Sequence, residues 1–429
     1  MKEAPRDAVA TDAVDDAVIE EKEPEEGGLR AWLTVVGSAL VYFASFGFMN
    51  SFGYFQDFYQ DDYLANYSSS TIAFIGTLQI SLMYVVGPVA GALFDAYGLK
   101  WLYPVGALGC CGSLIGLSFS KPGAIWQQFL SQGVLFGLTV AFGVQPALAA
   151  AGQHFKQRRA LAMGVVAGGS SIGGVCLPIM FSRIVPKIGF GWSIRVAALL
   201  FLFCYLTAIL ISRTRPATKK AQAALSGNLL DFHGFKDPRY LTLAIGSFVA
   251  SLGLYVPYYY IESYTVLRHP SASIHSYLLP LINGASFFGR IIGGFLADRV
   301  GRLNLLYPMT LVSGVFCLTM WLPTGTDVAT VVAFVCLYGF SSGIFISVTP
   351  AVVAQISPDD RIGARIGAFF TLAAIATLIG TPIAGSLVDK EAQDGYKNLI
   401  LFAGLTLTIG GAFLLFARIL CERDLRRKF

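Results

Sequence analysis

The sequence predicts an all-α membrane protein of twelve transmembrane helices, arranged as two pseudo-symmetric six-helix bundles. Three observations carry that prediction. Of 429 residues, 55% are apolar and only 13% charged, whereas soluble domains carry about 25% charged residues. Apolar windows of the roughly 20 residues that a spanning helix needs recur twelve times. The two halves of the chain also echo each other: Asp95 matches Asp298, Pro146 matches Pro350, Gly164 matches Gly367 and Pro178 matches Pro382, at an offset of 203 or 204 residues. Parallel six-helix repeats place a solute site between the halves at mid-membrane.

In chain order, residues 1–30 form a tail with ten Asp/Glu against four Lys/Arg and no periodicity, a composition expected to be disordered. The tail lacks the basic start and short apolar core of a cleavable signal peptide, so the first span should drive insertion. The first bundle, 31–212, contains windows at 31–57, 71–94, 101–119, 125–149, 160–185 and 193–212. A polar, basic linker follows at 213–238. The second bundle, 239–418, contains windows at 239–262, 274–297, 303–322, 327–350, 362–387 and 396–418, and 419–429 is a basic tail. Trp32, Trp101, Trp126, Trp192 and Trp321 fall near predicted span ends, as an interfacial belt requires. With both termini cytoplasmic, inner segments hold 23 of the 31 Lys/Arg, which satisfies the positive-inside bias. A plasma-membrane location is expected, with a vacuolar or other internal membrane as the alternative. The sequon at Asn66 then faces outward and can be glycosylated.

These features exclude several classes. Basic residues sit in short runs between apolar segments, unlike a nucleic-acid surface. Seven Cys show no zinc or disulfide spacing, and no metal or cofactor is expected. An intramembrane enzyme would need a catalytic Asp pair, a His-Glu-x-x-His helix or a buried His, and none is present. The tails carry no signalling domain. The expected partners are a small-molecule substrate and the lipid bilayer; the sequence identifies no accessory single-span protein.

The chemistry concentrates at Asn283–Arg302, an apolar stretch with one internal arginine, Arg290, that closes on Asp298-x-x-Gly301-Arg302. A guanidinium in hydrocarbon is costly and is usually kept for a solute or ion pathway. On a helical wheel Asn283, Ser286, Arg290, Gly294 and Ala297 share a polar or small face, while Ile282, Phe288, Ile292 and Phe295 lie elsewhere. Arg290 is therefore expected to face a cavity, the competing reading being that it snorkels to the inner interface. The turn recurs as Gly91-Ala-Leu-Phe-Asp95-Ala-Tyr-Gly98. Asp95 and Asp298 can cap helix ends and pair with the inner-loop arginines Arg158, Arg159, Arg302 and Arg361, forming bonds that break as a gate opens.

The duplicated Gly-x-x-x-Asp-x-x-Gly turn resembles the loop motif of the major facilitator superfamily. Glu26-Gly-Gly-Leu-Arg-Ala-Trp32, Asn50-Ser-Phe-Gly-Tyr-Phe-Gln56, His154-Phe-Lys-Gln-Arg158-Arg159 running to Gly168-Gly169-Ser170, and Pro257-Tyr-Tyr-Tyr-Ile261 look like the monocarboxylate transporter family, particularly its fungal branch. The resemblance covers 26–418. It implies secondary transport of a small organic solute, a monocarboxylate or other organic acid, by alternating access. The alternative is efflux of a fungal secondary metabolite or uptake of a vitamin-like solute. Animal members carry a lysine in span one and an aspartate in span eight, and here Asn50 and Ser286 stand at those places. Arg290 alone is left of the charged trio. Candidate substrate contacts are Arg290, Asn50, Asn283, Ser286, Tyr42, Gln145, Tyr255 and Tyr259, with Tyr258 and Ser342 beside them. The uncharged ones also suit helix–helix hydrogen bonding. No carboxylate falls mid-span, so proton coupling would ride on an acidic substrate or use Asp57 or Glu262 from the outer vestibule. Sugar porters and drug–proton antiporters fit less well, since the double-basic turn after span two and the Gly-Pro signature of span five are missing.

Overall fold

A computed structural model describes residues 27–155, 159–214, 232–323, 327–357, 362–388, 395–424 and 427–429. Among the described residues eleven helices are long and apolar enough to cross a membrane, and one of them is long enough to do so twice. That helix, Arg159–Ile211, has 53 residues, about 80 Å at 1.5 Å per residue, against a hydrocarbon core of about 30 Å. It breaks at Gly189, where φ is 79°. We number the spans α1 (Leu29–Tyr63), α2 (Ser69–Tyr97), α3 (Leu99–Ser118), α4 (Ile125–His154), α5 (159–188), α6 (190–211), α7 (Pro238–Arg268), α8 (His275–Val300), α9 (Arg302–Trp321), α10 (Val328–Gln355), α11 (Ile362–Ser386) and α12 (Lys397–Cys421). They form two six-helix bundles.

Local chemistry sets the ends. Ser68 caps α2 by accepting from the Thr71 amide at 3.2 Å. Asp327 caps α10 through Thr330 at 3.0 Å. Asp237 caps α7 ahead of Pro238, accepting from the Arg239 amide at 2.9 Å, and the Arg239 guanidinium grips the same carboxylate at 3.1 and 2.8 Å. Those side-chain bonds hold the Asp237 carboxyl below the usual carboxylate range. Its contribution is thus present above about pH 4, the unfolded value, and is lost as pH falls through the lower folded value. Asp237→Ala should cost about 1 kcal/mol, seen as a small drop in melting temperature at pH 7 that shrinks in acid. The two repeated turns depend on glycine: Gly98 (φ 68°) joins α2 to α3 and Gly301 (φ 105°) joins α8 to α9, in a region other residues avoid.

Glycine also sets the packing inside each bundle. A Cβ on Gly169 would lie 2.2 Å from the Ala39 carbonyl oxygen, and one on Gly173 2.1 Å from that of Phe43, so α1 and α5 meet backbone to backbone. In the second bundle Gly289 stands in the same way against Phe340, and Gly339 against Ile282, joining α8 to α10. Small residues at such crossings supply the van der Waals contact that drives helix association in lipid.

Between the bundles α2 packs on α11, α5 on α8, and the later turns of α1 on α7. We call the side where α1 begins and α12 ends the terminal side, and the opposite one the far side. Toward the far side the halves are tied by Ser70 Oγ donating to the Pro382 carbonyl (2.8 Å), Thr77 Oγ1 to Leu378 (3.2 Å) and Arg183 to the Tyr277 hydroxyl (2.9 Å). Phe52 of α1 also meets Tyr259 of α7 at 5.0 Å between ring centroids. Among the described residues, the hydrogen bonds recorded between halves lie from Arg290 outward to the far side. The far side is closed.

The sequence windows end at Asp57 and Glu262 and place both at outer span ends, beside a vestibule. Instead α1 continues to Tyr63 through a π-helical segment and α7 continues to Arg268. Both carboxyls therefore lie inside helices, in the contact between the halves.

Candidate functional site

Arg290 sits well inside α8, with its side chain 1% exposed. It does not snorkel. Its guanidinium crosses to the other bundle, where Nη1 donates to the Ala167 carbonyl at 3.0 Å and to the Ser170 hydroxyl, both on α5. Nε has no partner, and among the described residues no carboxylate pairs with it. Tyr258, Tyr255, Tyr42 and Tyr84 lie within electrostatic reach. Two come from each half. The wheel argument explains most of the placement: Asn283, Ser286 and Ala297 are buried with Arg290, while Phe288, Ile292 and Phe295 are 58%, 42% and 47% exposed; Ile282, expected off this face, is instead buried where α8 packs on Gly339 of α10.

A cavity lies beside this cluster, between α2, α7, α10 and α11. Tyr84, Tyr255, Phe345, Phe369 and Phe370 give it aromatic walls, and Ser247 is among its polar groups. Tyr84 stacks on Phe370 across the interface at 5.0 Å and 11°. The cavity measures about 30 Å³, the scale of one or two waters, so a ligand would reach these flat aromatic walls only once the helices part.

The predicted residues divide. Tyr42 and Tyr255 stand with Arg290, and Tyr258 joins them while its hydroxyl bonds Ser342 at 3.0 Å. Asn283 is fully buried; its amide donates to Leu279 at 3.0 Å, and its side chain lies against Gly174 of α5. Ser286 packs against Gly343 of α10, with its hydroxyl unpartnered. Asn50 is 5% exposed and its amide nitrogen has no partner. Gln145 lies against Gly87 of α2 in its own bundle. Tyr259 is in the far-side closure, against Phe52. The sequence reading missed Tyr84 and the direct Arg290–Ser170 bond. In the sequence Ser170 only closes a glycine-rich packing motif, Gly168-Gly169-Ser170.

At the terminal side Asp298 Oδ1 meets Arg302 Nη2 at a loose 3.5 Å, and Arg302 Nη1 reaches the Ala351 carbonyl at 3.3 Å. Lys428 donates to the Asp298 carbonyl. Arg158, Arg361 and the side chains of Asp95 and Arg159 lie outside the described residues. Asp298 is therefore at a helix end, two turns from Arg290, and makes a weak bond while the far side is closed. Asp298→Ala should slow transport about fivefold or more, given about 1–3 kcal/mol for a charge-assisted bond made in the other state. Equilibrium binding, measured by radioligand saturation on purified protein, should be unchanged.

Residues 34–381 match the model of the Major Facilitator Superfamily. The chain is 38% identical over 396 residues to an MFS transporter, asaE, of Aspergillus flavus, covering 92% of this chain and 88% of that one. It is 37% identical over 418 residues to the agnestins efflux protein of Paecilomyces divaricatus, covering 97% and 94%. It is 36% identical over 429 residues to the fujikurins efflux protein of Gibberella fujikuroi, covering 99% and 90%. Twelve apolar spans in two repeated bundles, a buried arginine between them and this match together make the chain a multi-pass membrane transporter of the major facilitator superfamily.

Proposed function

We propose that this transporter exports a flat, acidic small molecule of the fungal secondary-metabolite kind by alternating access. The observation that carries the reading is Arg290, a buried guanidinium without a carboxylate partner among the described residues, set among four tyrosines contributed by both halves. In a site of low dielectric such a charge attracts anions, and the aromatic walls favour an unsaturated body over a short aliphatic acid. The efflux names of the relatives support the export direction. They favour the metabolite reading over the monocarboxylate one that the motifs suggest.

Charge bias supports cytoplasmic termini. The terminal side would then be the cytoplasmic one, and a transporter closed at the far side loads from the cytoplasm. Asn66, exposed in the turn between α1 and α2, would face outward, where its sequon can be glycosylated. Arg290 would hold the anionic edge of the cargo in place of its bond to Ser170, and releasing that bond loosens α8 from α5.

The test is transport into inside-out vesicles from a host lacking its own exporters, with a panel running from short monocarboxylates to aromatic polyketide acids. Energised accumulation of the large aromatic acids, with little of lactate-sized ones, is expected. Transport confined to short monocarboxylates would overturn the proposal.

A further inference from the structure

The two seams between the bundles are built differently. By the repeat, the α5–α8 seam and the α2–α11 seam are counterparts, and Phe287 of α8 stands where α2 has Tyr84, at an offset of 203 residues. On α5 the residues against α8 are glycines. A Cβ on Gly168 would lie 3.0 Å from the Phe287 ring, and one on Gly174 2.5 Å from the Asn283 side chain. At the same offset α11 carries Thr371 and Thr377, and Thr377 lines the cavity in the second seam. Glycine closes one seam, and the other is bridged by rings. Tyr84 of α2 stacks on Phe370 of α11 at 5.0 Å and 11°, and both side chains are only partly buried.

The cavity beside this stack also contains an unmet polar group. Ser247 of α7 is 2% exposed and lines the cavity, yet its hydroxyl has no partner. A buried hydroxyl left in that state is destabilising, and a ligand's polar substituent is a partner that would satisfy it. Tyr84 and Phe370 line the same space, and Tyr84 lies within electrostatic reach of Arg290. Ring stack, hydroxyl and guanidinium therefore sit around one point of the interface, which admits an organic acid only when the stack opens.

We propose that Tyr84 and Phe370 form a clamp that selects cargo by planarity. As the halves part, the flat body of the cargo enters between the two rings and gives one face to each bundle. Its anionic edge meets Arg290, and a hydroxyl or carbonyl on its other rim meets Ser247. A puckered, saturated ring has no π-face to stack on either side chain. The cargo class is then an aromatic acid that carries a second polar substituent. The clamp presupposes the acidic-cargo reading and adds the residues that measure the shape of the acid.

The test is equilibrium binding to full-length protein in nanodiscs, with a hydroxynaphthoate and its ring-saturated decahydro counterpart as probes. Wild type should bind the planar acid about ten times more tightly, as stacking on two ring faces implies. Tyr84→Leu and Phe370→Leu should each weaken the planar acid about fivefold and leave the saturated acid within about twofold. Tyr84→Phe keeps the ring and should keep the preference. Ser247→Ala should weaken the hydroxynaphthoate but not naphthoate itself. Arg290→Gln should weaken both acids alike. A wild type that does not prefer the planar acid, or a preference that survives in either leucine variant that purifies as a monodisperse protein, would sink the clamp. If Arg290→Gln still weakens both acids in that case, the acidic-cargo reading stands without it.

Discussion

Replacing Arg290 with Gln is expected to weaken binding of acidic cargo ten- to a hundredfold. The expectation follows from removing one charge-assisted contact in a desolvated site, worth about 1.5–3 kcal/mol. Gln ends where Nε of Arg290 lies and falls short of the Ala167 carbonyl and Ser170 hydroxyl that Nη1 reaches, so unchanged binding of an uncharged cargo analogue is the control that the α5–α8 contact has not collapsed. Arg290→Lys keeps the charge but loses the planar fork that can bond a protein group and a carboxylate together. It should fall between wild type and Gln. Initial rates of vesicle transport against cargo concentration would show the order, with the change mainly in apparent affinity. Equal loss in both variants would mean that geometry, not charge, is recognised there.

The second large effect is expected at Gly53, on the later turns of α1. A Cβ there would stand 2.3 Å from the Tyr258 carbonyl oxygen of α7, a backbone atom of the opposite half. Ordinary contact needs about 1 Å more, which helix backbone yields only by moving as a body. Gly53→Ala should therefore hold the far side ajar and cut turnover at least tenfold. The substitution improves helix propensity by about 1 kcal/mol, and no atom of its own bundle is among the three nearest to the added carbon. The first bundle should stay folded. Gly112→Ala, where a Cβ meets nothing within 4 Å, serves as the silent control. A thiol probe confined to the far side and directed at a cysteine near Tyr259 should label the Gly53 variant faster than wild type.

The parts of this molecule that are local in sequence were legible there. Span lengths follow from hydropathy, and the repeated turns follow from glycines whose positive φ no other residue adopts comfortably. The Arg290 face followed from helical period, because Phe288, Ile292 and Phe295 had to point elsewhere. What was not legible depends on two distant helices meeting. Asp57 and Glu262 looked like vestibule residues because nothing in a hydropathy window shows that π-helical turns carry α1 on to Tyr63. Ser170 looked like packing because its partner lies 120 residues away. Tyr84 was passed over as one more aromatic in an apolar span. The gap between the windows 160–185 and 193–212 shows nothing of the continuous helix there, which breaks at a single glycine, Gly189.

Equilibrium binding of matched acid and amide forms of one aromatic metabolite, to wild-type and Arg290→Gln protein, tests the anionic site most directly. The acid should bind wild type at least ten times more tightly than the amide, and Arg290→Gln should erase that difference while leaving amide binding nearly unchanged. An amide that binds wild type as well as the acid does, with Arg290→Gln altering neither, would contradict it.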